Sequence, residues 1–261
     1  MPVLRVEGLS KSFGGLQVLQ EISFSVEAGE KIAIIGPNGA GKTTLFNLLG
    51  GQLPATEGHI YLAEEEITHL TPNRRLHLGL ARSYQLNNLF FNLSLLDNML
   101  LALYGAERSH VRMFDSLENR HDLLTSAQYL LEPMDLWEKR FDAVATLSYG
   151  DQRLVEIVFA LASKPKIVVL DEPSAGLPTA EAAAFADKIR SLAGKRALIF
   201  CAHDMDLVFN LADKIMVLYF GQIMAQGDPQ EIKANPKVQE IYLGSEEPSG
   251  DVRSSQSRYL L

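Results

Sequence analysis

One short stretch constrains this chain more than any other. Lys31-Ile32-Ala33-Ile34-Ile35 is a β-branched run of the kind that forms a strand buried on both faces. It breaks off in Gly36-Pro37-Asn38-Gly39-Ala40-Gly41, and a helical stretch opens at once with Lys42, Thr43 and Thr44. Strand, glycine loop and helix thus stand in the order that G-x-x-x-x-G-K-[ST] requires. The glycines let successive backbone N–H groups turn inward around phosphate oxygens, and the helix presents its unpaired amides and positive dipole end to the same anion. Lys42 is placed to reach the outer phosphates and the Thr43 hydroxyl to bind magnesium. A plain glycine turn is the competing reading, and the full motif in its strand-to-helix setting disfavours it. The loop alone specifies only a nucleoside triphosphate or another phosphate donor; the chain has no NKxD motif, which argues against guanine recognition.

A second acidic site follows from the same logic. Lys166-Ile167-Val168-Val169-Leu170-Asp171-Glu172-Pro173 is an apolar strand that ends in two adjacent acids. At the carboxyl end of a strand in an α/β sheet, where ligands sit, Asp171 can hold magnesium and Glu172 can polarise an attacking water as general base. A solvated acidic pair at a strand-to-turn junction is the alternative for these two residues taken alone.

The remainder of the chain accommodates such a sheet. Alternating strands are expected in the first thirty residues, and short strands and turns from Gln52 to Arg75. A helical block runs from Gln85 to about Thr146, with apolar residues at Leu93, Leu96, Leu100 and Leu103. From Asp151 onward a helix, strand Ile167–Leu170, helix Ala180–Leu192, strand Ala197–Cys201, helix Met205–Leu211 and strand Ile215–Leu218 alternate, the pattern of a parallel sheet with helices on its faces. With 47% hydrophobic residues in 261, a sizeable core can be built. The balance of 24 basic against 32 acidic side chains argues against a general nucleic-acid binder. One cysteine, Cys201, excludes a disulfide framework and a cysteine-based zinc site. No uncharged apolar stretch reaches the roughly 18–20 residues that span a bilayer, and the first ten residues lack a signal-peptide layout. Composition alone describes an acidic, soluble globular protein of a reducing compartment.

Leu147-Ser148-Tyr149-Gly150-Asp151, shortly before the Asp171 strand, adds the motif that makes the set specific. With it the chain, over about residues 3–244, resembles the nucleotide-binding subunits of ABC transporters. The resemblance implies ATP as the nucleotide and Mg2+ as its metal. It also implies a fold: an α/β, P-loop NTPase (RecA-like) parallel-sheet core with an N-terminal antiparallel β region and an inserted α-helical subdomain. The expected division is 1–84 for the first part of the ATP-binding core and 85–150 for the helical subdomain ending in the signature. Residues 151–244 would complete the core, and 245–261 would form a disordered tail. Ser148 and Gly150 would touch the ATP of an opposite protomer, since in the family this segment lies at a helix N-terminus and contacts the γ-phosphate. The family signature is usually LSGGQ; Tyr149 at its third position is a familiar variant in the subunits resembled below, and Asp151 stands where the contact is usually made by glutamine. Gln85 resembles the glutamine that touches magnesium and water at the start of the helical subdomain. His203, in Phe200-Cys201-Ala202-His203-Asp204, resembles the histidine that contacts the γ-phosphate, and Phe13 the aromatic that stacks on adenine, a core phenylalanine being the alternative. Ser174-Ala175-Gly176-Leu177-Pro178 departs from the Ser-Ala-Leu-Asp of many members.

Within the family, Gly79-Leu80-Ala81-Arg82-Ser83-Tyr84-Gln85, Asp171–Leu177 and the closing Val238–Gly244 look like the ATPase subunits of branched-chain amino acid importers. The closing segment is also similar to lipopolysaccharide-export ATPases, so export remains open, as does a soluble ABC ATPase outside transport. The resemblance implies a second ATP-binding subunit, transmembrane permease subunits and an extracytoplasmic solute-binding protein as partners, and no nucleic acid. It places the chain peripherally at the cytoplasmic face of the plasma (inner) membrane. Leu89-Phe90-Phe91 would be either an exposed docking patch for the membrane subunits or a core segment.

Overall fold

Ten strands gather in two sheets in a computed structural model that describes residues 1–83, 89–106 and 121–243. The first is antiparallel. β1 (Leu4–Phe13) and β2 (Leu16–Val26) form a hairpin closed at Gly14-Gly15, and β4 (Glu57–Leu62) and β5 (Glu65–Glu66) extend it in the order β2-β1-β4-β5. The second contains β3 (Lys31–Ile35), β6 (Leu80–Arg82), β7 (Ile167–Asp171), β8 (Ala197–Cys201), β9 (Lys214–Tyr219) and β10 (Gln222–Gly227). Its order is β10-β9-β3-β8-β7-β6, parallel throughout except for β10.

The apolar runs of the parallel strands divide by parity, as a pleat requires. Ala33, Ile35, Val168, Leu170, Leu198, Phe200, Ile215 and Val217 enter one core. Ile32, Ile34, Ile167, Val169, Ala197, Ile199, Met216 and Leu218 enter the other. The second core is closed by α1 (Lys42–Gly50), through Leu45, Phe46, Leu48 and Leu49, and by the antiparallel sheet. The first is closed by α5 (Tyr149–Ala162), α6 (Thr179–Ala193) and α7 (Met205–Leu211), and it runs on into α3 (Leu95–Ala106) and α4 (His121–Leu131). A strand buried on both faces therefore has its carboxyl end as its free feature, and the side chains just beyond that end face a common edge.

Three local expectations are corrected and one strand is added. α2 (Pro72–Leu78) begins within the Gln52–Arg75 stretch expected to hold turns and short strands and runs past it, with Pro72 in its first turn. It delivers the fully buried Arg75, whose guanidinium donates to the carbonyls of Leu48 and Leu49 at the end of α1 and of Thr68 and Leu70. Burial pulls this arginine down to about 10, which leaves it charged at neutral pH. β10 is an antiparallel edge strand that the sequence pattern did not announce. Leu93 precedes α3 rather than lying on it, and is partly exposed. α5 begins at Tyr149, two residues before the expected start, so that Ser148 is its N-cap and Gly150 lies in its first turn. After α7 the chain closes with α8 (Pro229–Ala234), whose Asp228 and Glu231 form a capping box, and α9 (Pro236–Leu243). Gln85, Gly244 and the 245–261 tail lie outside the described residues.

Candidate active site

β3, β8 and β7 are neighbours in the parallel sheet, so the segments that follow them leave at one edge. Ala33 pairs with Phe200, and Leu170 and Asp171 pair with Phe200 and Cys201. The loop after β3 is Gly36–Gly41, the segment after β7 begins at Glu172, and the one after β8 reaches His203. Sheet order thus converges three pieces of sequence that lie up to 167 positions apart, from Gly36 to His203.

Two features hold the glycine loop in shape. At Gly36 a Cβ would stand 2.1 Å from the Leu218 carbonyl oxygen, so no other residue fits there. Gly41 caps α1 in the left-handed region, at φ 105°, and no side chain caps the helix. The first turn carries no acid either, so its amides and dipole are available to an anion. Lys42 is buried, its Nζ donating to the carbonyls of Gly36 at 2.7 Å and Pro37 at 3.0 Å. Burial lowers its affinity for a proton, while Cys201, Glu172 and Asp171 act in the opposite direction. Thr43 and Asn38 are exposed and Thr44 is half-buried. Val18 and Leu19 of β2 pack against Gly41, which sets the β1–β2 hairpin beside the loop. Phe13 stands at its tip, 47% exposed, with Lys11 Nζ 5.0 Å from the ring centroid; the core reading of Phe13 is overturned.

Glu172 has a φ of 48°, in the left-handed region that non-glycine residues seldom occupy and that clusters at functional sites. Its N–H donates to the Cys201 carbonyl and its carbonyl accepts from Ala175 N–H, so both neighbours enforce the turn. Its carboxylate Oε1 lies 3.1 Å from His203 Nε2. Asp171, one residue earlier, is enclosed: Oδ2 accepts from Arg82 Nη2 at 3.0 Å and Oδ1 from the Cys201 thiol at 3.0 Å. Arg82 also donates to Asn47 and Gln52, so one guanidinium ties α1 to the end of β7. Burial and the adjoining Asp171 carboxylate keep the Cys201 thiol protonated, far above its ordinary range. No role was expected for Arg82. The available signal was an arginine inside the apolar strand Leu80-Ala81-Arg82, where a charge must find a partner.

Magnesium takes one or two carboxylates together with hydroxyl, phosphate and water oxygens rather than an all-protein cage. Among the described residues no three His, Cys, Asp or Glu side chains converge on a metal position. A fixed Asp171 carboxylate and an exposed Thr43 hydroxyl match the sparse set that Mg2+ bound with a triphosphate uses. The remaining expected metal contact, Gln85, lies outside the described residues.

Among the described residues, Ser148 and Gly150 make no hydrogen bond to the edge residues above. The Ser148 hydroxyl accepts from Asp151 N–H at 3.1 Å, and no hydrogen bond among the described residues joins either residue to the glycine loop. The start of α5 instead packs on the segment after Glu172. Tyr149 Oη donates to the Ala175 carbonyl at 2.9 Å and accepts from Arg153. A Cβ on Gly176, whose φ is 83°, would stand 2.9 Å from the Tyr149 ring. The two departures from the family pattern, a large third residue in the signature and a glycine after Ala175, therefore fit each other. Gly176→Ala is expected to lower stability by about 1–3 kcal/mol through that clash and the left-handed backbone. Adding Tyr149→Ala should recover the clash but not the backbone share. Urea unfolding of both variants checks this, and a Gly176→Ala midpoint equal to wild type would refute it.

A sequence profile described as "ABC transporter" matches residues 19–175, and one described as "Branched-chain amino acid ATP-binding cassette transporter" matches residues 222–248. The chain is 36% identical over 251 residues to the high-affinity branched-chain amino acid transport ATP-binding protein BraF of Pseudomonas aeruginosa, covering 93% of this chain and 98% of that protein. To LivG of Escherichia coli, which has the same description, it is 33% identical, again covering 93% and 98%. Among solved structures, the ADP conformation of an ATP-binding cassette of an ABC transporter superposes with a TM-score of 0.83 at 32% identity, covering 94% of this chain and 99% of that one.

Proposed function

Given that the chain belongs to the ABC transporter family, as an ATP-binding and ATP-hydrolysing subunit, we propose that it energises the uptake of branched-chain amino acids or similar small polar solutes. The carrying observation is the Glu172–His203 pair at the sheet edge that the glycine loop also occupies. In this reading the loop and Lys42 hold the triphosphate, and Phe13 supports the adenine. Thr43, Asp171 and Gln85 would hold Mg2+, which supplies positive charge to the phosphates. Water attacks the γ-phosphorus, its proton passes to Glu172, and ADP leaves as the bridging bond breaks. His203 keeps Glu172 aimed and offers its other face to the γ-phosphate.

Ser148 and Gly150 belong to the reading as the half-site offered to a second subunit. Ser148 is exposed at the N-cap of α5, which suits ATP held between two subunits. Contacts to the γ-phosphate that exist only in the closed pair would make hydrolysis the event that releases it. The helical stretch from α3 to α5 is read as the coupling region. Between α2, β6, α3 and α5 lies a cavity of about 450 Å³ lined by Arg82, Leu89, Ala102, Glu156, Phe159 and Ala160. Leu89 is buried beneath it while Phe90 and Phe91 are exposed, so the expected Leu89-Phe90-Phe91 patch is part core and part surface. That groove and Phe90 are proposed as the seat of the permease, with an extracytoplasmic solute-binding protein completing the importer. No helix among the described residues is long and apolar enough to cross a membrane. Attachment to the cytoplasmic face would therefore run through protein partners.

Fractionation tests the transport assignment. The chain should sediment with membranes, co-purify with multispanning proteins in mild detergent, and be released by chaotropes that disrupt protein contacts. A wholly soluble pool carrying nucleic acid would overturn it in favour of an ABC ATPase outside transport.

A further inference from the structure

Asp151 raises a physical difficulty for the proposed half-site. It occupies the third position of α5, next to the amides that would receive a γ-phosphate, and it places a carboxylate where the family usually has a neutral glutamine. A second acid is close: Glu181 Oε2 lies 3.7 Å from where a Gly150 Cβ would stand. Arg153, the cation within α5, is already engaged by Glu156 and the Tyr149 hydroxyl. Two carboxylates at a phosphate-accepting helix end would offset the positive end of the dipole and repel an incoming phosphate.

The structure supplies one compensating charge. Lys139 Nζ donates to Asp151 Oδ2 at 2.6 Å, with the carboxylate 16% and the lysine 43% exposed. The lysine is presented by a built turn, Trp137–Lys139. Its N–H donates to the Leu136 carbonyl, its carbonyl accepts from Asp142, and the next residue, Arg140, lies over the rings of Trp137 and Phe141. We infer that Lys139 is a positioning residue that neutralises Asp151, so that the start of α5 can accept the γ-phosphate of ATP held by a second copy of this chain. The inference rests on the half-site reading of Ser148 and Gly150 and deepens it.

A simple structural staple between the helical region and α5 would use the same ion pair, and charge-neutral rescue separates the two. The test is ATP-driven self-association of the full chain, measured by sedimentation in a Glu172→Gln background that retains ATP. Lys139→Ala should weaken association by roughly tenfold, less so at high ionic strength, and leave ATP affinity of the single chain unchanged. Lys139→Ala with Asp151→Asn should return association to within about threefold of the parent, because the unopposed charge is gone. A double variant as weak as Lys139→Ala alone would identify a staple and overturn the inference, as would a single variant without effect. Lys139→Gln serves as a second variant should the alanine form prove unstable. If the parent background does not self-associate with ATP at all, the second-copy premise falls and takes this inference with it, while a half-site offered to a different subunit would stand.

Discussion

Glu172→Gln is expected to lower ATP turnover by roughly 10²–10⁴-fold, the share that a positioned general base contributes, while ATP binding persists. The substitution keeps shape and hydrogen-bonding reach but removes the atom proposed to accept a proton. Glutamine at 172 can still accept from or donate to His203 across the 3.1 Å contact. The left-handed φ of 48° is enforced by backbone bonds to Cys201 and Ala175 that the side chain does not touch. Folding should therefore be unaffected, and the loss should fall on kcat rather than on KM. Phosphate release gives turnover, and calorimetry on the same preparation gives ATP affinity. Wild-type turnover in this variant would remove Glu172 as the base. Lost binding would instead assign it a ground-state role. A His203→Ala companion separates aiming from proton transfer, since it leaves the base present but frees its carboxylate.

How much of this site could be read in the sequence depended on whether the deciding interaction was local. The glycine loop was legible because one strand, one turn and one helix define it, and the steric demand at Gly36 is expressed in residue type. Asp171 and Glu172 were legible because a continuous apolar run stops at them. Their enclosure was not: Arg82 reaches Asp171 across 89 positions, and nothing local to β6 announces which carboxylate it serves. α2 was missed because Asn73-Arg74-Arg75 has the polarity of a loop, whereas Arg75 is buried to satisfy carbonyls of another helix. β10 was missed because its turn places Phe220 and Gly221 both at positive φ, where Asn-Gly would have signalled a hairpin. The Tyr149–Gly176 fit and the Lys139–Asp151 pair look like two flaws in a motif when read in one dimension. Each is answered by a residue that only the fold brings near.

Lys42→Ala should separate binding from chemistry in the opposite sense. The Lys42 ammonium is buried and donates to two carbonyls of its own loop, so the loop is curled around a positive charge. A triphosphate entering the loop meets that charge together with the uncapped first turn of α1. Truncating one partner of a buried, hydrogen-bonded charge pair costs about 2–5 kcal/mol, which corresponds to a loss of roughly 30- to 4,000-fold in ATP affinity. ADP should lose less, because the lysine is assigned to the outer phosphates. The substitution also leaves the Gly36 and Pro37 carbonyls short of a donor, so part of the loss could come from the loop itself. Lys42→Arg tests that share: it keeps the charge and the donors but is too bulky for the same curl. If loop shape dominates, the arginine form should bind ATP as poorly as the alanine form. If charge dominates, it should recover much of the affinity, and that is the expected result. Calorimetric ATP and ADP titrations of both variants decide it, and unchanged ATP binding by Lys42→Ala would refute the assignment of Gly36–Thr43 as the phosphate loop.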